Sequence, residues 1–93
     1  MKHNFRELNI WKRSIELAVE VYSYSDSFPD SEKFGLVSQM RRSATSIPSN
    51  IAEGSGRGTV RDFSKFLDYA IGSSFELETQ ILLCNRLKFL DNY

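Results

Sequence analysis

The 93-residue sequence holds one cysteine, one histidine and two prolines, and 12 Lys plus Arg balance 12 Asp plus Glu to a formal net charge of zero. Each scarcity narrows the reading. A lone cysteine forms no internal disulfide, which makes a reducing cytoplasm the simplest home. A lone histidine, His3, argues against a metal site or a His-assisted nucleophile. Zero net charge gives no bulk attraction to nucleic acid or an anionic membrane. The longest apolar run, Ile81-Leu82-Leu83-Cys84, is too short for a bilayer span or the core of a secretory signal. These absences lean against an enzyme, and neither a cofactor nor a membrane partner is expected.

What is present is globular. Hydrophobic residues make up 41% and charged residues 26% of the chain. Charge is spread evenly and no linker divides the sequence, so residues 1–93 read as one domain. Apolar spacing predicts three helices, over about residues 5–25, 31–54 and 59–90, and no strand. In the first, Leu8, Trp11, Ile15, Ala18 and Tyr22 form the core seam. In the second the seam is Leu36, Met40, Ala44, Ile47 and Ile51, with Ser31-Glu32 as a cap and Gly54 as a left-handed stop. Pro48 falls inside this pattern. Because the apolar phase continues across it, a kinked but continuous helix is expected, with Thr45 or Ser46 serving freed backbone groups. In the third helix, Phe63, Leu67, Ala70, Ser74, Leu77, Ile81 and Cys84 form the seam, and Thr59 with Asp62 resembles a capping box. Ala70, Gly72, Ser73 and Ser74 thin its middle enough for a close neighbour.

Each helix also carries a second apolar or mostly uncharged face. On the first it is Ile10, Leu17, Val21 and Tyr24, and on the second Ser38, Arg42, Thr45, Ser46, Ser49 and Glu53. On the third it is Ile71, Phe75, Leu82 and Phe89. A three-helix monomer cannot bury both faces of every helix, so the second faces predict self-association through Ile10, Leu17, Val21, Tyr24, Ser38 and Ser49, the alternative being a missing fourth helix that covers one stripe beside ordinary exposed apolar residues. Gly54, Gly56 and Gly58 lack the preceding strand and following Lys-Ser/Thr of a phosphate loop and read as a helix connection. Arg41 and Arg42 are expected to pair with Glu53, Glu76 or Glu78 within or between subunits. Arg57, Arg61 and Lys65 are the candidate nucleic-acid contacts, although a solvated surface is the simpler reading of them. Glu76 and Glu78, two apart on a helix, point in different directions and do not form an acid–base pair.

The stretch from Phe34 to Arg57, containing Ser46-Ile47-Pro48-Ser49-Asn50-Ile51-Ala52-Glu53-Gly54, is distinctive. So are Asp62-Phe63-Ser64-Lys65-Phe66-Leu67, Gly72-Ser73-Ser74-Phe75-Glu76-Leu77 and Leu8-Asn9-Ile10-Trp11-Lys12. Together they resemble the four-helix-bundle proteins named for intervening sequences of bacterial 23S ribosomal RNA genes, across nearly the whole chain. The resemblance implies an up-down antiparallel bundle and ring-like homo-oligomers, pentameric in relatives. The similar accessory protein of diversity-generating retroelements implies RNA or DNA, and a second protein, as further partners. Three departures stand out. The sequence stops at Tyr93, so the family's fourth helix is expected to be short or missing here. The net charge is zero where the retroelement relatives are basic. Lys88 rather than glycine precedes Phe89, which argues against a left-handed stop there.

Overall fold

Apolar residues returning every three or four positions wind this chain into helices that must cover one face each. The computed structural model describes residues 3–89. It contains α1 (Asn9–Ser25), α2 (Leu36–Ser55) and α3 (Val60–Arg86), with short 3-10 turns at Phe5–Glu7 and Asp30–Glu32 and no strand among the described residues. The first two helices therefore start later than the apolar spacing predicts. Asn4 caps the first 3-10 turn, and Ser31 and Glu32 belong to the second rather than capping α2, whose N-cap is Gly35. Residue 90, the predicted end of the third helix, lies outside the described residues.

The helices run up and down. Gly54 of α2 sits against Phe63 and Phe66 of α3, Ser46 bonds Ser73, Ser43 donates to Glu76 at 3.1 Å, and Met40 meets Cys84. As numbers fall on α2 they rise on α3, so the two are antiparallel. Arg41 meets Tyr22 and Ser25 of α1, whereas Ser55, at the far end of α2, accepts from the His3 amide just before α1. These contacts make α1 antiparallel to α2 as well. The middle helix holds the molecule together: α2 packs on both neighbours, and no Cα of α1 comes within 8 Å of one in α3.

Helix α2 is continuous through the buried Pro48. Thr45 donates to the carbonyls of Arg41 and Arg42, Ser46 to Ser43, Ser49 to Thr45, and the Asn50 side-chain Nδ2 to Ser46. The carbonyls taken belong to residues around Ala44, so these side chains brace the turns beside the proline rather than replace the donor it lacks. The predicted α2 seam is buried apart from half-buried Leu36. Val37, Ser43, Pro48 and Gly54 widen it, because this helix has neighbours on two sides.

Helix α1 is turned from the expected seam. Its buried residues are Ser14, Ala18, Val21 and Ser25, while Ile15 and Tyr22 are exposed. At 100° per residue this is a rotation of about 70°. Polarity does not keep the two serines outside, because Ser14 donates to the Trp11 carbonyl and Ser25 to that of Tyr22, so burial leaves neither hydroxyl unbonded. Val21, expected at an oligomer interface, is 2% exposed and belongs to the subunit's own core.

Helix α3 begins as its sequence directs, with the Thr59 hydroxyl accepting from the Asp62 amide. Its end departs from expectation. Lys88 adopts φ 61°, the Lys88 amide donates to Asn85 and the Phe89 amide to Cys84. Those two bonds make a Schellman stop with lysine in the left-handed position. Phe89 is thereby folded back, its ring 5.6 Å from that of the buried Phe28, and is not part of an outward stripe. Gly54, the expected left-handed stop of α2, lies within that helix, and no glycine has positive φ among the described residues.

Candidate interaction surfaces

Because α1 and α3 both lean on α2 and not on each other, an apolar groove stays open between them. Leu17 forms one wall, and Leu77, Ile81 and Leu82 the other, with Glu78 and Asn85 at the edge. The groove is 370 Å³, within the size range of ligand clefts. Its α3 wall continues as a stripe: Ile71, Phe75 and Leu82 follow helical spacing on one face, and Phe75 is 64% exposed. Ile10 and Tyr24, each seven residues from Leu17, extend the α1 wall and are exposed. Three of the six predicted interface residues thus share this side of the molecule. Ser38 and Ser49 instead lie three turns apart on the outer face of α2, and Ser49 is occupied by its bond to Thr45.

The charged residues sort differently from the sequence pattern. Arg41 pairs with none of Glu53, Glu76 and Glu78. It donates to Asp26 at 2.9 Å, to Ser25 at 2.8 Å and to the Tyr22 carbonyl at 3.2 Å, with its guanidinium over the Tyr22 ring. A fixed cation at the last carbonyls of α1 suits the negative end of that helix. Nothing in the spacing pointed to Asp26, because the pair joins two helices across the turn between them. Arg42 is exposed on α2, and its guanidinium has no hydrogen bond or ion pair among the described residues. Glu76 accepts from Ser43, and Glu78 faces the groove.

Of the three candidate nucleic-acid contacts, Arg57 is engaged inside the subunit. It bonds Glu53 at 2.8 Å, one turn away, and lies over the Phe66 ring. Arg61 and Lys65 are brought together at the start of α3, where they share a shallow surface with Asp62 and Asp68. Two carboxylates beside two cations leave little net field there.

Two further features bear on chemistry. Cys84 is fully buried with its sulfur 3.4 Å from that of Met40. Burial first, and the charge of Glu32 second, push its thiol above the ordinary value, while a backbone hydrogen bond pulls the other way. The neutral thiol therefore dominates, and it behaves as a small apolar side chain. Among the described residues no group of three or more His, Cys, Asp or Glu side chains is placed to hold a metal ion, and no helix is long and apolar enough to cross a membrane.

Compared with known families, the sequence matches the one described as 23S rRNA-intervening sequence protein over residues 6–93. No curated protein matches it.

Proposed function

Since the chain belongs to the 23S rRNA-intervening sequence protein family, we propose that it is a non-catalytic, cytoplasmic helical protein that assembles with copies of itself and associates with nucleic acid, RNA in particular. The open groove between α1 and α3 carries the assembly reading. Leu77 is buried and Leu17 half-buried there, whereas Ile71, Phe75 and Leu82 on the same side face solvent. Covering side chains of this size contributes roughly 1.5–3 kcal/mol each, and a second copy supplies the same apolar stripe. The family description supports the RNA reading, because it ties these proteins to ribosomal RNA genes. Assembly would also multiply a weak phosphate-binding surface into a multivalent one.

Light scattering over a concentration series tests the assembly. The expected result is a stable oligomer whose mass is reduced by Phe75→Glu. A carboxylate set into an apolar contact costs several kcal/mol unless paired, enough to weaken association 100-fold or more, on the order of 3 kcal/mol. A monomer at every concentration removes the assembly reading. RNA association is tested by binding at two salt concentrations. Phosphate contacts weaken steeply with salt, and binding that is absent at low salt leaves a structural oligomer or protein-binding adaptor.

A further inference from the structure

A different face of the molecule collects cations and aromatic rings, with no carboxylate among the described residues of its lining. Beside the turn joining α1 to α2, a depression of 420 Å³ has Tyr22, Lys33, Phe34, Ser38, Arg41 and Arg42 in its walls. Phe34 is 90% exposed. No packing among the described residues accounts for a ring held that far in water. The Lys33 ammonium lies 5.7 Å from the centre of that ring. In the same depression the Arg41 guanidinium lies over Tyr22, 4.5 Å from the ring centre, fixed there by Asp26 and Ser25. Asp26 balances the charge of Arg41, and Lys33 also borders an adjoining pocket that holds Asp26 and Asp30, so Arg42 supplies the uncompensated positive charge of the depression. On the Arg61 and Lys65 surface, by contrast, carboxylates match the cations one for one within the same lining.

An open aromatic plane beside unpaired cations is the combination that single-stranded nucleic acid requires. Bases stack on the ring whatever their identity, and the cations follow the backbone. A duplex hides the faces of its bases and cannot use such a ring. We infer that this depression is the nucleic-acid site of the protein and takes single-stranded RNA, with Phe34 stacking on an unpaired base and Lys33 and Arg42 holding the flanking phosphates. The inference rests on the RNA reading above and locates it away from Arg57, Arg61 and Lys65.

The experiment is fluorescence anisotropy of a labelled, unstructured RNA of about 20 nucleotides, longer than the roughly 4–16 covered by a small single-strand site. It is titrated with the full chain and with Phe34→Ala, Phe34→Tyr, Arg42→Gln and the double variant Arg61→Gln/Lys65→Gln. Phe34→Ala is expected to weaken binding about ten-fold, with Phe34→Tyr restoring it. Arg42→Gln is expected to lower the slope of log affinity against log salt by about 0.7, the loss of one single-strand phosphate contact. The double variant is expected to bind as the parent does, and a duplex of the same sequence to compete poorly. Because the Phe34 ring is exposed, its removal leaves the fold intact, which helical circular dichroism checks. Undiminished binding by Phe34→Ala, or loss of binding only in the double variant, overturns this site and keeps the RNA reading. Absence of binding by the parent chain overturns both. A change in oligomer mass with Phe34→Ala makes the ring a contact between copies and also overturns the site.

Discussion

A methyl group added at Gly54 would lie 2.7 Å from the Cβ of Phe66 and 3.1 Å from the Phe63 ring, with the Phe63 carbonyl next at 3.4 Å. The first of these atoms is anchored to the α3 backbone, so the helices would have to part for it. Gly54→Ala should therefore destabilise the protein by about 1–3 kcal/mol. Gly72 is the control: an added methyl group there meets nothing within 4 Å. Gly72→Ala should stabilise by about 0.5–1 kcal/mol, because alanine loses less freedom in a helix. Urea unfolding of the two variants beside the parent checks both signs. The sequence suggested the opposite assignment, with Gly54 ending a helix and Gly72 admitting a neighbour. Glycine serves turns and close approaches alike, and only the neighbour across the gap decides which. Position 80 has another cost: the Gln80 side-chain oxygen is buried with no hydrogen-bond partner among the described residues.

Among the elements, α2 was the most legible. Its apolar residues hold one phase from Leu36 to Ile51, strong enough to carry the helix through Pro48. The seam of α3 and its Thr59 cap were legible for the same reason, because local spacing and local hydrogen bonding agree there. The buried face of α1 was not, since Ser14 and Ser25 return their hydroxyls to their own helix and enter the core as small side chains. Nor was the Arg41–Asp26 pair, a tertiary contact with no helical spacing to announce it. The groove was legible in part: Ile10, Leu17 and Tyr24 lie along it, but Val21 belongs to the core. The stop of α3 was missed because Lys88 occupies a backbone conformation usually left to glycine. Here the tethering of Phe89 to Phe28 outweighs the local preference. Lys88→Gly should relieve this and raise stability by about 0.5–1 kcal/mol, with Phe89 retained. A higher urea midpoint at unchanged slope checks it. An unchanged or lower midpoint would mean that the lysine contributes through the helix end more than it costs.

At the scale of the whole molecule, net charge conceals arrangement. Twelve cations and twelve anions cancel in the sum, yet among the described residues the charged side chains lining the Phe34 depression are all cations and those of the Arg61 surface are mixed. Hydrophobicity is likewise unevenly placed, with Ile71, Phe75 and Leu82 exposed along one side of α3. If copies associate through that side, folding and assembly are linked by mass action. The thermal midpoint should then rise with protein concentration in the parent and stay flat in Phe75→Glu. Calorimetry or circular dichroism over a hundred-fold concentration range, roughly 2.7 kcal/mol of mass action at most, distinguishes the two.

The central position of α2 has a kinetic consequence. Each of the two large helix contacts joins elements that are neighbours along the chain, and the strap from His3 to Ser55 is an exception at one end. Closing the α2–α3 contact requires only the short connection after Gly56 to bend, and the α1–α2 contact only the turn before Gly35. Chains whose partners lie this close in sequence search little conformational space before native contacts form, which places this topology among the rapid folders. The α1–α2 hairpin, with its Arg41 clasp, can also form during synthesis before α3 has left the ribosome.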